Sequence, residues 1–183
     1  MYRFLTFLLL LTPIWCEIVD RIAITVEHQV ITELQIDEEL RVTAFLNHAA
    51  VAETVNERRA AADRIVEQML VAREMALSHY PEPQASDVDK FLIKVEQTYG
   101  THEAYEAALQ RYLVTEATLK THLATQLRTL SFIELRFRPD LGSGASDPAA
   151  IQKREQLTDQ ILDTWLEEAR KQVDIVYLDK ALQ

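Results

Sequence analysis

"IVDRIAITVEHQVIT" occupies residues 18–32, and its reading decides the fold. Ile18, Ile22, Ile24 and Val26 alternate with Val19, Arg21, Ala23 and Thr25. That is a period of two carried largely by β-branched side chains, so 18–26 is predicted as a strand. Glu27, His28 and Gln29 turn the chain into Val30 and Ile31, and the histidine is the residue of the turn that best tolerates a positive φ. Thr32 and Gln35 have the spacing of a capping box and open a helix that runs to about Asn47. A lone strand leaves its backbone groups unpaired, so the first strand requires a partner. A second alternating stretch lies at the far end, "VDIVYL" (173–178), with Val173, Ile175 and Tyr177 against Asp174, Val176 and Leu178. The two are predicted to pair, which gives a mainly α fold whose ends are joined by a small β pairing.

Helical spacing fills the interval. Thr54 and Glu57 repeat the capping device, and the helix they open reaches about Tyr80, with Ile65, Val66, Met69, Leu70, Ala72, Ala76 and Leu77 on its apolar side. Pro81 and Pro83 interrupt it. Ser86 is the expected cap of the next helix, whose apolar side includes Val88, Phe91, Leu92 and Val95 and which ends at Gly100. Thr101 starts a short helix carrying Tyr105, Ala108, Leu109 and Tyr112. Thr115 caps a longer one bearing Leu119, Leu123, Leu127, Leu130 and Ile133, expected to stop at "RFRPD" because Pro139 cannot continue it. "DLGSGASD" (140–147) holds Gly142 and Gly144, two of the three glycines in the chain, and reads as a short bridge. Asp147 and Pro148 then start the last long helix, which presents Ile151, Thr158, Ile161, Leu162, Trp165 and Ala169, with Trp165 assigned to the core.

The composition bounds the function. A chain of 183 residues, 48% hydrophobic, has enough material for one domain with a modest core. "MYRFLTFLLLLTPIWC" (1–16) places one positive charge before an apolar run and a proline, the layout of a secretory leader. The run is too short for the ~20 apolar residues of a spanning helix. Cleavage after Cys16 leaves the remaining 17–183 without cysteine, while a lipid anchor on Cys16 is the alternative. The formal net charge is −10 with no basic cluster, so no nucleic-acid footprint is expected.

Catalytic patterns are missing. "HEAYE" at His102 puts Glu106 where a metalloprotease helix carries its second histidine, and a third ligand is needed for zinc. No phosphate loop and no Gly-x-Ser-x-Gly elbow occurs. The chain reads as non-enzymatic, with no cofactor and no metal.

The order of parts, "IVDRIAITVEHQVIT", a helical body ending in "SFIELRFRP", then "LDTWLEEARKQVDIVYL", resembles the SurA family of periplasmic chaperones. The resemblance implies a helical chaperone core in which the closing strand pairs back onto the opening segment. It also implies a periplasmic location and, as partners, unfolded or extended polypeptides such as outer-membrane proteins. Family members insert parvulin-type prolyl isomerase domains between body and closing helix; here the bridge at 139–147 stands in their place. The expected activity is ATP-independent holding of clients in an apolar crevice. Phe45, Phe91, Tyr99, Tyr105, Leu109 and Tyr112 are the candidate lining, with ordinary core packing as the other reading of each. A dedicated assembly module for one folded partner, and an isomerase remnant without its catalytic domain, are the alternatives.

Overall fold

The computed structural model describes residues 20–141 and 148–182. The leader with Cys16, Ile18 and Val19 of the expected strand, and the bridge glycines with Asp147 lie outside the described residues. The described chain forms β1 (Ile22–Val26), β2 (Gln29–Thr32), α1 (Glu33–Leu46), α2 (Val55–Leu77), α3 (Ala85–Gln97), α4 (His102–Tyr112), α5 (Glu116–Leu141), α6 (Pro148–Lys171), β3 (Ile175–Tyr177) and a closing 3-10 turn, Lys180–Leu182. It is mainly helical, and its small sheet is antiparallel in the order β2-β1-β3.

The clasp between the ends is present: Ile24 faces Tyr177, Thr25 faces Val176 and Val26 faces Ile175. The sheet is larger than one pairing, because Val30 and Ile31 belong to a second strand that folds back on β1 through the two residues Glu27 and His28. The positive φ of this hairpin falls on Glu27 (52°) and not on His28. Glu27 reaches Arg73 of α2 at 3.4 Å, so the turn residue also anchors the hairpin to the helix beneath it. Histidines do take the left-handed conformation elsewhere, at His48 and His79, each just beyond the C-cap of a helix.

The strict alternation of 18–26 fails at one place. The register shifts between Ile22 and Ile24, so Ala23 and Ile24 are both buried and Ile22 is 49% exposed. A bulge of this kind puts two neighbours on one face. It lets the Ala23 carbonyl accept from both Leu178 N (2.8 Å) and Asp179 N (3.1 Å), which turns the chain from β3 into the closing turn.

Thr32 and Gln35 form the reciprocal capping box, and Thr54, Thr101 and Thr115 each accept a backbone N–H in the first turn of α2, α4 and α5. Ser86 is not a cap. α3 starts after Gln84, whose carbonyl accepts from Asp87 and Val88, and the first turn is supported by the Asp87 carboxylate instead. Gly100 has φ +82° and sits three residues past the end of α3. Pro139 does not stop α5, which continues to Leu141. The carbonyl this proline leaves without a donor belongs to Leu135, an exposed residue, where water can satisfy it.

Three apolar clusters hold these elements. The first packs the sheet (Ala23, Ile24, Val26, Ile31) on α1, α2, Leu166 of α6 and Leu182 of the closing turn. The second joins the C-terminal half of α1 to α3, α4 and the start of α5. The third sets Val71 and Met75 of α2 against Phe132 and Phe137 of α5, with Trp165 half-buried beside them, its ring 4.6 Å from Phe132. Ala76, Leu77, Leu130 and Ile151, all in phase with the expected stripes, are exposed. The stripe on α2 shifts to Val71 and Met75, and that on α5 to Phe132, because near those ends the neighbour is α6.

Candidate functional site

The six candidate residues come together, but as an interior. Phe45 is fully buried at the end of α1, stacked on Tyr99 (4.9 Å) and edge-on to Tyr105 (6.0 Å) and Tyr112 (5.8 Å). Phe91 and Leu109 are half-buried against the same cluster. The tyrosines serve the helix end: Tyr99 donates to the Phe45 carbonyl (2.5 Å), and Tyr112 donates to that of Ala49 (2.7 Å). These are carbonyls at and beyond the last turn of α1; that of Phe45 also accepts the His48 N–H at 3.2 Å, so the phenol is a further donor to it. Tyr112 also lines a cleft of about 430 Å³ with His48, Val51 and Arg111. The aromatic group therefore packs as an interior that terminates α1, with Tyr112 also on the wall of that cleft.

Burial pushes the Tyr99 and Tyr105 phenols up to about 12. The Tyr105 hydroxyl is buried with no hydrogen-bond partner among the described residues. Such a group carries a desolvation penalty of ~1–3 kcal/mol. Tyr105→Phe is accordingly expected to raise the unfolding free energy by about 1 kcal/mol, measured by urea titration; a loss of stability would show that the hydroxyl is satisfied.

The crevice lies elsewhere, between α1, α2, α5 and α6. It is a cleft of about 450 Å³, with Glu39 and Thr43 from α1, Arg64, Gln68 and Val71 from α2, His122, Gln126 and Leu130 from α5, and Leu162 and Leu166 from α6. A second cleft of about 430 Å³ opens between α1, α2 and α5, and Glu39, Gln68 and His122 belong to both. Glu39 is only 6% exposed and the His122 side chain 10%. Their contact, His122 Nδ1 to Glu39 Oε2 at 3.2 Å, is a polar strut between α1 and α5 with open space on either side.

The strut is well supported. Glu39 Oε1 accepts from Arg64 Nε at 2.9 Å and from the Thr43 hydroxyl at 3.3 Å. Burial raises the Glu39 pKa, but the hydrogen bonds and charges of His122 and Arg64 outweigh it, and the net shift is below the ordinary value. The resulting contribution to stability is present above the unfolded carboxylate value and is lost as pH falls through the folded one. Arg64 spends only Nε, and Gln68 makes no hydrogen bond within the described chain, so both have capacity to offer the cleft.

Along α5 the wall runs ~12 Å from His122 to Leu130 and mixes polar with apolar side chains. Arg64, Glu67, Gln68, Gln126 and Thr129 supply polar groups to it, and Val71, Leu130, Leu162 and Leu166 supply apolar surface. Leu130 is 57% exposed, so its side chain is available without repacking. Such a wall can pair a peptide group through side-chain amides while covering an adjacent apolar side chain.

The sequence carried a signal for this site that the stripe reading passes over. Glu39 is three residues from Ile36 on the buried side of α1, and His122 and Gln126 interrupt the series Leu119, Leu123, Leu127 on α5. A charge in phase with a core stripe needs a partner, though its identity depends on packing. His102 at "HEAYE" is an exposed helix start bonded to Glu96 (2.7 Å) and Glu106 (3.3 Å), which raise its pKa. Among the described residues no three His, Cys, Asp or Glu side chains are placed to share a metal, and no helix is long and apolar enough to cross a membrane. No protein-family model matches the chain, and no curated protein matches it.

Proposed function

We propose that the protein is an ATP-independent holding chaperone for extended segments of unfolded exported proteins, outer-membrane proteins among them. It would act in the periplasm after export on the leader at 1–16. The observation that carries this reading is the cleft between α1, α2, α5 and α6, whose wall joins the side-chain amides of Gln68 and Gln126, the latter with its nitrogen 3.0 Å from His122 Nε2, to exposed aliphatic surface at Leu130. An extended chain offers the matching pair at every residue: a peptide group and a side chain. Covering apolar client surface contributes ~25 cal/mol per Å². The chain's net charge of −10 keeps a loaded complex soluble. The overall pattern of parts, similar to the SurA chaperone core, agrees with this use.

The test is aggregation of a urea-denatured outer-membrane protein on dilution, followed by light scattering without nucleotide. Several-fold molar excess of the purified protein is expected to suppress it. Leu130→Asp, an exposed position that should leave folding intact, is expected to weaken client binding by at least ~10-fold, since a covered leucine contributes ~1.5–3 kcal/mol. No suppression by the unsubstituted protein overturns the reading.

A further inference from the structure

Gln126 does more than line the cleft. Its amide nitrogen lies 3.0 Å from His122 Nε2, while Nδ1 of the same ring faces Glu39 at 3.2 Å. Arg64, 2.9 Å from Glu39, keeps that carboxylate ionised. An ionised carboxylate accepts only, so Nδ1 holds its proton and Nε2 is the nitrogen that gains or loses one. In the neutral ring Nε2 is a lone pair, the Gln126 NH2 donates to it, and the Gln126 carbonyl oxygen is left uncommitted. When Nε2 is protonated, two donors face each other. The amide must then turn so that its oxygen accepts from the ring, and the NH2 becomes the uncommitted end.

We propose that the proton on His122 Nε2 sets which end of the Gln126 amide the cleft presents, and hence whether the cleft favours hydrogen-bond donors or acceptors, carboxylates included. The proposal rests on the reading of this cleft as the client site and makes Gln126 its specificity-determining residue. The surrounding charges do not duplicate the switch. α1 contributes Glu38 and Glu39, and α2 contributes Arg64 and Glu67, the last bonded to Arg170 of α6. The residues α6 places in the wall are leucines. On α5 itself Lys120 is engaged by Glu116 and by Asp89 of α3.

Two measurements test it. In the ligand-free protein, the side-chain amide resonances of Gln126 are expected to shift together with the His122 ring signals across a pH titration, and to be flat in His122→Gln. A flat Gln126 signal while His122 titrates overturns the proposal. For binding, fluorescence anisotropy with two apolar peptides differing only in one central Asp or Asn gives the second readout. The Asp peptide should gain about 10-fold in affinity over the Asn peptide on going from a pH above to a pH below the His122 midpoint found in the first measurement. Gln126→Leu should abolish that ratio. If both peptides bind with one pH profile, the switch is wrong while the chaperone reading stands. If neither peptide binds at either pH, the client reading fails and the ligand-free amide titration alone decides the switch.

Discussion

A chain ended at Gln172 is expected to lose about 5 kcal/mol of stability, enough to unfold a domain at the lower end of the usual ~5–15 kcal/mol range. The estimate comes from what β3 and the closing turn bury. Leu182 is 1% exposed in the first core cluster, while Val173, Ile175 and Tyr177 pack on it half-buried. One fully buried side chain contributes ~1.5–3 kcal/mol and three half-buried ones about half as much each. The polar links go as well, including Tyr177 to Asp63 at 2.9 Å. The truncation also strips one side of β1, exposing backbone groups that β3 now pairs and creating an edge able to recruit other chains. Circular dichroism against temperature, with sedimentation to detect aggregation, checks it. A chain ended at Leu178 isolates the strand from the turn, because it keeps β3 and removes Leu182. An unchanged transition in the shorter variant would show that the clasp is not needed to hold the helices.

That clasp was legible because both of its strands follow a period that depends on neighbouring residues alone. The helix starts were legible for the same reason: a threonine hydroxyl caps through contacts within a few residues. What could not be read locally is where two features compete. The β1 bulge depends on Leu178 and Asp179 arriving at one carbonyl, and nothing in "IVDRIAITV" records their approach. Pro139 ends a helix by propensity, yet α5 passes it to Leu141, and the carbonyl that loses its donor belongs to an exposed residue, Leu135. The site was hidden more deeply. Glu39 and His122 stand on different helices far apart in sequence, and each looks like a flaw in an apolar stripe until the other is placed against it. Aromatic residues at helical spacing drew attention instead to Phe45 of α1 and to the α3–α4 segment, where Phe91, Tyr99, Tyr105, Leu109 and Tyr112 pack around it as a core and cap α1.

Phe45→Ala separates those two uses of the aromatic cluster. As the lining of a client groove, Phe45 would matter to binding and little to folding, since surface substitutions usually stay within ~0.5 kcal/mol. As the fully buried centre of three rings it is expected to cost about 3–5 kcal/mol, the range for deleting a core aromatic. Two consequences distinguish this loss from general weakening. The cavity lies where α1 meets α3 and α4, so hydrogen exchange should accelerate first in those helices and only later in the sheet, which belongs to another cluster. Tyr99 also loses the ring on which it stacks while donating to the Phe45 carbonyl, so the end of α1 frays with it. An unfolding free energy from urea titration within ~0.5 kcal/mol of the unsubstituted protein's, with client binding lost, would return the aromatic cluster to the role of a binding surface. A large shift in midpoint with client binding retained in the folded fraction would leave the cleft beside Glu39 and His122 as the place where the client is held.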